Sequence, residues 1–166
     1  MRRRLPVSIP SRPESRRDGT ATVEFALVAP LFMMIVLGMV EMSRALDVST
    51  NLTAALREGG RLATMDYENS VPAGMTINQK IVQDIRNMIK ASGLPGDQVT
   101  ITITHANGAQ AGQNFDFSDP NNNLKYFKLT AQVNYSDVGF LSAKIMSNQK
   151  VTTSLVFRMG RTTLST

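Results

Sequence analysis

The stretch RRDGTATVEFALVAPLFMMIVLGMVE, residues 16–41, places one acidic residue, Glu24, directly before an uninterrupted apolar run. From Phe25 to Val40, sixteen residues pass without a charge. With the apolar residues at its edges, the run approaches the ~20 residues that a helix needs to cross a ~30 Å hydrocarbon core. We therefore predict one transmembrane helix over residues 20–42, surrounded by a lipid bilayer.

The positive charge of the chain is concentrated before this helix. Residues 1–19 hold six Arg against two acidic residues, a net charge of +4, whereas residues 20–166 have a net charge of only +1. Short basic flanks stay on the cytoplasmic side of a membrane, so we expect a cytoplasmic N-terminus and a C-terminal domain outside. A nucleic-acid-binding body would need clustered Lys and Arg, and none is indicated. Cysteine is absent, which excludes disulfides and thiolate metal sites in these residues.

Glu24 needs a cationic partner if it enters the membrane. A carboxylate in hydrocarbon costs about 2.5–3.5 kcal/mol and usually faces a partner. The nearest upstream cations, Arg16 and Arg17, lie seven or more residues away. Cleavage after Gly19 would create an α-amine on Thr20, one helical turn from Glu24. The spacing predicts a processing site between Gly19 and Thr20, with Glu24 pairing to the new amine of its own chain or of a neighbouring copy.

These residues also resemble a known family. Gly19, followed by TATV, then Glu24-Phe25 and an apolar helix, is similar to the class III processing signal of type IV pilins. More narrowly, GTATVEFALVAPLFMMIVLGMVEMSRAL resembles the N-terminus of TadE-like proteins, the pseudopilins of the Tad (Flp) pilus system. The close likeness covers about residues 16–66, with Asp18 as a departure from the basic residues expected there.

The resemblance implies a substrate and assembly role. A prepilin peptidase would cut after Gly19, and Glu24 would become the fifth residue of the mature chain. Further implied partners are other pilins and pseudopilins of the system and an inner-membrane assembly platform. The protein would be a minor pilin of the bacterial inner membrane, with its C-terminal domain in the periplasm. It would enter an extracellular pilus used for surface adhesion, or help to start one.

Two other readings stay open at this stage. One is an unprocessed, single-pass anchored periplasmic interaction protein of an envelope or type II secretion complex. The other is a minor pseudopilin of a type II secretion machine. A removable secretory signal fits less well, because no small-x-small cleavage site follows Val40.

The apolar helix is predicted to bend and then to continue beyond the membrane. Pro30 removes one backbone N–H inside the helix, which favours a kink, although membrane helices also tolerate proline without a special role. Residues 43–66 are predicted to extend the helix outside the membrane, and Gly59-Gly60 is a possible break because each glycine costs about 1 kcal/mol there. The apolar stripe of this extension is Met42, Ala45, Leu46, Leu52, Ala55, Leu56, Leu62 and Ala63.

Residues 67–166 are predicted to form a small α+β domain. Thr76 and Gln79 make a capping box for a helix that runs to Lys90 and stops at Gly93. Its apolar face comprises Ile77, Ile81, Ile85, Met88 and Ile89. Alternating apolar residues over 99–105, 127–135 and 151–159 predict a three-stranded antiparallel sheet packed against helices, and a short helix is expected over 139–147.

The remaining polar residues indicate no chemistry. The loop 107–123, rich in Gly, Asn and Asp, is expected to be exposed and mobile. Asp116, Asp119 and Asn121 lack the spacing of a calcium loop, so we interpret them as turn residues. His105 is predicted to be a surface strand residue. No nucleophile with a base, phosphate-binding loop or carboxylate pair is recognisable, so we expect no enzymatic activity, cofactor, metal or small-molecule substrate.

Overall fold

A computed structural model describes residues 18–65, 71–139 and 148–160. One helix, α1 (Asp18–Ala63), contains both the predicted membrane segment and its predicted continuation, and it passes through Pro30 without interruption. The chain divides into two compact units, one ending at Met39 and one starting at Val40.

The first unit presents an apolar surface on every side of α1. Six large side chains near its start are each 60–75% exposed: Val23, Phe25, Leu27, Val28, Leu31 and Phe32. A helix that is apolar all round needs a membrane or a packed core around it. Among the described residues, α1 is the one helix long and apolar enough to cross a membrane. The expected single membrane anchor is therefore supported.

In the second unit, one face of α1 is part of the hydrophobic core. The predicted stripe is confirmed at Leu52, Leu56 and Ala63, which are fully buried. It is wrong at Met42 and Leu46, which are 62% and 59% exposed. Ala45, which the stripe included, is partly buried, and Val48, which it left out, is fully buried, because the α-helix has 3.6 residues per turn. Two apolar side chains are thereby left on the outer face.

The predicted break at Gly59-Gly60 is wrong, because α1 continues to Ala63. A Cβ at Gly59 would lie 2.2 Å from Cγ1 of Ile85, and a Cβ at Gly60 would lie 2.2 Å from Cζ of Phe157. Both glycines are buried. They bring the backbone of α1 close to the side chains of other elements, and this packing outweighs their poor helix propensity.

We expect Gly59→Ala to destabilise the second unit. Alanine in place of glycine normally stabilises a helix by about 1 kcal/mol. Here the added methyl would overlap the fully buried Ile85, and overpacking typically costs about 1–3 kcal/mol. Urea unfolding of the full chain in detergent measures the difference. Gly38→Ala is the control, since a Cβ at Gly38 meets nothing within 4 Å in the described structure. Equal stability of the two variants would contradict the close packing.

Helix α2 (Ile77–Ala91) forms as predicted. The Thr76 side chain accepts from Gln79 N, and the Gln79 side chain accepts from Thr76 N. The capping box is therefore confirmed. In α2, the isoleucines at 77, 81, 85 and 89 are buried and Met88 is partly buried. The chain leaves the helix through Gly93, whose φ of +82° favours glycine.

The sheet is also confirmed. It consists of β1 (Thr100–His105), β2 (Tyr126–Asn134) and β3 (Lys150–Arg158), antiparallel and in the order β1-β2-β3. Leu129 of β2 pairs with Ile103 on one side and Leu155 on the other. The inner face of β2 is fully buried, whereas β3 is only half-buried. The short helix predicted over 139–147 falls largely on 140–147, outside the described residues.

The loop between β1 and β2 was expected to be exposed, but two of its side chains are buried. Phe115 and Phe117 are each 1% exposed, and their ring centroids lie 5.4 Å and 4.9 Å from that of Phe127. Asn78 of α2 fixes both residues, because its amide donates to Phe115 O at 2.5 Å and accepts from Phe117 N at 3.1 Å. The loop therefore contributes an aromatic cluster to the core.

Candidate functional site

The predicted processing bond lies in the first turn of α1. The helix begins at Asp18, so Gly19 and Thr20 are both helical and both exposed. A Cβ at Gly19 would meet no atom within 4 Å in the described structure. Among the described residues, neither local packing nor backbone conformation therefore requires glycine at this position.

Glu24 and Phe25 lie one turn further along the same helix, and both are exposed. Thr20 and Glu24 are four residues apart in continuous helix, the spacing at which side groups meet. Within 18–65, 71–139 and 148–160, no hydrogen bond or ion pair joins Glu24 to another residue. Among the described residues, its carboxylate therefore has no cationic partner.

A second carboxylate, Glu41, closes the apolar run at its other end, and sequence reasoning missed its partner. Tyr135 Oη lies 2.5 Å from Glu41 Oε2 and 3.0 Å from Glu41 O. Arg44 Nε donates to Val138 O at 3.2 Å. These contacts attach the segment after β2 to α1. Tyr135 continues the inward alternation of β2, which indicated its burial but not its hydrogen bond.

We expect Tyr135→Phe to weaken this attachment. A hydrogen bond to a charged group is worth about 1.5–3 kcal/mol, and the phenyl ring keeps the packing of the buried side chain. The free energy of unfolding in urea should fall by about that amount. Tyr126→Phe is the control, because the Tyr126 side chain is 43% exposed on the outer face of the sheet. This variant should lower the free energy of unfolding by no more than about 0.5 kcal/mol. Equal effects would argue against the Glu41 contact.

The prediction that His105 is a surface residue is wrong, because its side chain is only 6% exposed. Its ring centroid lies 4.7 Å from that of Phe115. Burial lowers the pKa of the imidazole, the nearby Lys125 lowers it further, and Asp119 opposes the shift. His105 therefore belongs to the edge of the aromatic cluster, where the neutral form is favoured.

This burial predicts a pH-dependent stability. Between the lowered pKa of folded His105 and the ordinary value of about 6.5, the unfolded chain binds more protons than the folded one. The contribution to stability is therefore complete above about pH 6.5 and is lost as the pH falls toward the folded pKa. Urea unfolding between pH 5 and 7 tests it, since the sequence contains one histidine. His105→Gln should flatten the slope, and an unchanged slope would contradict the assignment.

The carboxylates of the β1–β2 loop organise turns, as interpreted from the sequence. Asp116 Oδ1 accepts from Ser118 N at 2.8 Å, and Asp119 Oδ1 accepts from Asn121 N at 2.9 Å. Both are bonds to the backbone two residues further on, the pattern of Asx turns. In the part of the chain that is described, no three His, Asp or Glu side chains are grouped to hold a metal ion.

Comparison with known proteins identifies the N-terminal helix. The family model described as TadE-like protein matches residues 19–61. The match begins at Gly19, contains Glu24, Phe25 and Pro30, and ends within the buried half of α1. The resemblance seen in the sequence is thus confirmed over this helix, and the domain after it lies outside the match. No curated protein and no solved structure matches the chain.

Proposed function

We propose that this chain, similar to TadE-like proteins over residues 19–61, is a minor pilin or pseudopilin of a Tad pilus system. A prepilin peptidase cleaves it between Gly19 and Thr20, and the mature chain takes part in assembling a pilus for surface adhesion. The observation that carries the proposal is the family match, which starts at the proposed cleavage glycine. The role is that of a substrate and subunit rather than of a catalyst.

The charge distribution gives this processing a physical purpose. Before cleavage, the Arg-rich leader, with a net charge of +4, makes withdrawal of the helix from the bilayer costly. Cleavage removes this charge and leaves one ammonium group on Thr20. That group can pair with Glu24 of the same or a neighbouring chain, which offsets the cost of burying the carboxylate.

The exposed surface of the first unit supports assembly through this helix. Large apolar side chains surround it, and Phe25 beside Glu24 is 72% exposed. Lipid covers such a surface in the membrane, and neighbouring helices would cover it in a fibre. The proposed partners are the bilayer, the other pilins and pseudopilins, the assembly platform and the peptidase.

The test is the N-terminus of the protein extracted from membranes. We expect intact mass to give a chain that begins at Thr20 in cells with a prepilin peptidase and at Met1 in cells without it. Full-length chains in both would favour the unprocessed, anchored interaction protein. Recovery of the mature chain in sheared Tad pili, lost when the pilus assembly ATPase is deleted, would separate the proposed role from that of a type II secretion pseudopilin.

A further inference from the structure

The second unit contains an open cleft of about 760 Å³ between α2 and the edge of the sheet. One wall is the side of α2 that carries Asn78, Val82, Arg86 and Lys90, and the other wall is the β1 segment 101–103. A helix thus runs beside the outermost strand of the sheet, with room for a further chain between them.

The backbone of β1 is open on the side of this cleft. His105 N donates to Gln113 O at 2.8 Å, and Phe115 N donates to Ile103 O at 3.1 Å. Ile103 and His105 of β1 therefore direct these backbone groups away from β2. Ile101 belongs to the same set, because directions repeat every two residues. Its N–H and C=O, and the N–H of Ile103, have no backbone partner among the described residues. Such an edge is a template for strand pairing.

The α2 wall offers charge as well as shape. Nε of Arg86 is buried and has no hydrogen-bond partner within the described part of the chain. Lys90 pairs at 2.8 Å with Asp97, whose side chain is 78% exposed. The other polar residues of this wall are amides, so the cleft has an excess of positive charge. Arg86 as a whole is only partly buried, so a carboxylate in the cleft can pair with the positive charge of its guanidinium group.

We propose that the cleft binds an extended segment of a partner polypeptide that carries an acidic side chain. The segment adds to β1 as a further strand, bonding to the backbone of Ile101 and Ile103. Its acidic side chain reaches Arg86, and an apolar side chain contacts Val82. Main-chain bonds would supply affinity and these side-chain contacts specificity. The inference depends on the second unit alone and stands whether or not the chain is a pilin.

The test uses the full chain in detergent micelles and fluorescein-labelled pentapeptides of alternating Thr and Val. One Glu is moved through the five positions, and each peptide has a Gln counterpart. We expect at least one Glu peptide to bind about tenfold more tightly than its counterpart, as the loss of one charged hydrogen bond implies. Amide hydrogen exchange at Ile101 and Ile103 should slow on binding. N-methylation of the backbone of the peptide should abolish both the binding and the slower exchange.

The variants Arg86→Gln and Lys128→Gln test whether Arg86 is the positive charge that binds the acidic side chain of the peptide. Arg86→Gln should remove the preference for Glu, whereas Lys128→Gln, on the outer face of the sheet, should keep it. Circular dichroism confirms that both variants fold. A preference that survives Arg86→Gln, or unchanged exchange at Ile101 with every peptide, overturns the proposal. Protection of the same amides that rises with protein concentration, without peptide, also overturns it and assigns the cleft to a second copy of the chain.

Discussion

Gly19→Leu is expected to leave the chain at full length in cells that contain a prepilin peptidase, whereas the wild-type chain should begin at Thr20. The variant should fold and insert normally, because a Cβ at Gly19 meets no atom within 4 Å in the described structure. Leucine also favours helix over glycine by nearly 1 kcal/mol. Loss of processing would therefore report recognition by the peptidase rather than damage to α1. Intact mass of the membrane-extracted protein measures it.

Gly38→Leu is the matched control for this experiment. It introduces the same side chain into the same helix, at a glycine that is equally free of contacts among the described residues. We expect it to be trimmed like the wild type. Trimming of Gly19→Leu at Thr20 would reject the assignment of the processing bond. Failure of both variants to be trimmed, beside a processed wild type, would indicate that the whole helix surface is read.

The elements that could be predicted are those whose information lies within a few residues. Thr76 and Gln79 cap α2 through contacts three residues apart, and the alternation of β1 and β2 is read from neighbours. The helix that contains Gly19 and Glu24 could likewise be predicted, because the apolar run after Glu24 is a local pattern, whereas the roles of the two residues stay predictions. The position of these residues in α1 follows from the same local pattern.

Most of the failures involve partners that are distant in sequence. Gly59 and Gly60 were assigned a break from propensity, but Ile85 and Phe157 pack against them. Phe115 and Phe117 lie in a polar stretch, and Asn78, which bonds to the backbone of both, lies 37 and 39 residues before them. The contact of Glu41 with Tyr135 spans 94 residues. No periodicity in the sequence encodes such pairs, since they form only when the whole second unit is folded.

Phe127→Ala should cause the largest loss of stability among substitutions in the second unit. Phe127 is fully buried, and its ring centroid lies within 6 Å of three others: those of Phe115, Phe117 and Phe157. Removing such a ring typically costs about 3–5 kcal/mol, from lost burial and from the cavity that remains. Because a domain is stabilised by only about 5–15 kcal/mol, the urea midpoint should fall by at least about 1 M.

Tyr126→Ala is the control, since it removes the neighbouring ring from the opposite face of the same strand. Tyr126 is 43% exposed, and Cζ of Arg158 lies 6.0 Å from its ring centroid, a contact worth about 0.5–1 kcal/mol. Tyr126→Ala should therefore lower the free energy of unfolding several-fold less than Phe127→Ala. If Phe127→Ala does not fold, Phe127→Leu should give an intermediate loss. Equal losses at 126 and 127 would mean that the loop phenylalanines do not pack on β2, and the aromatic cluster would have to be abandoned.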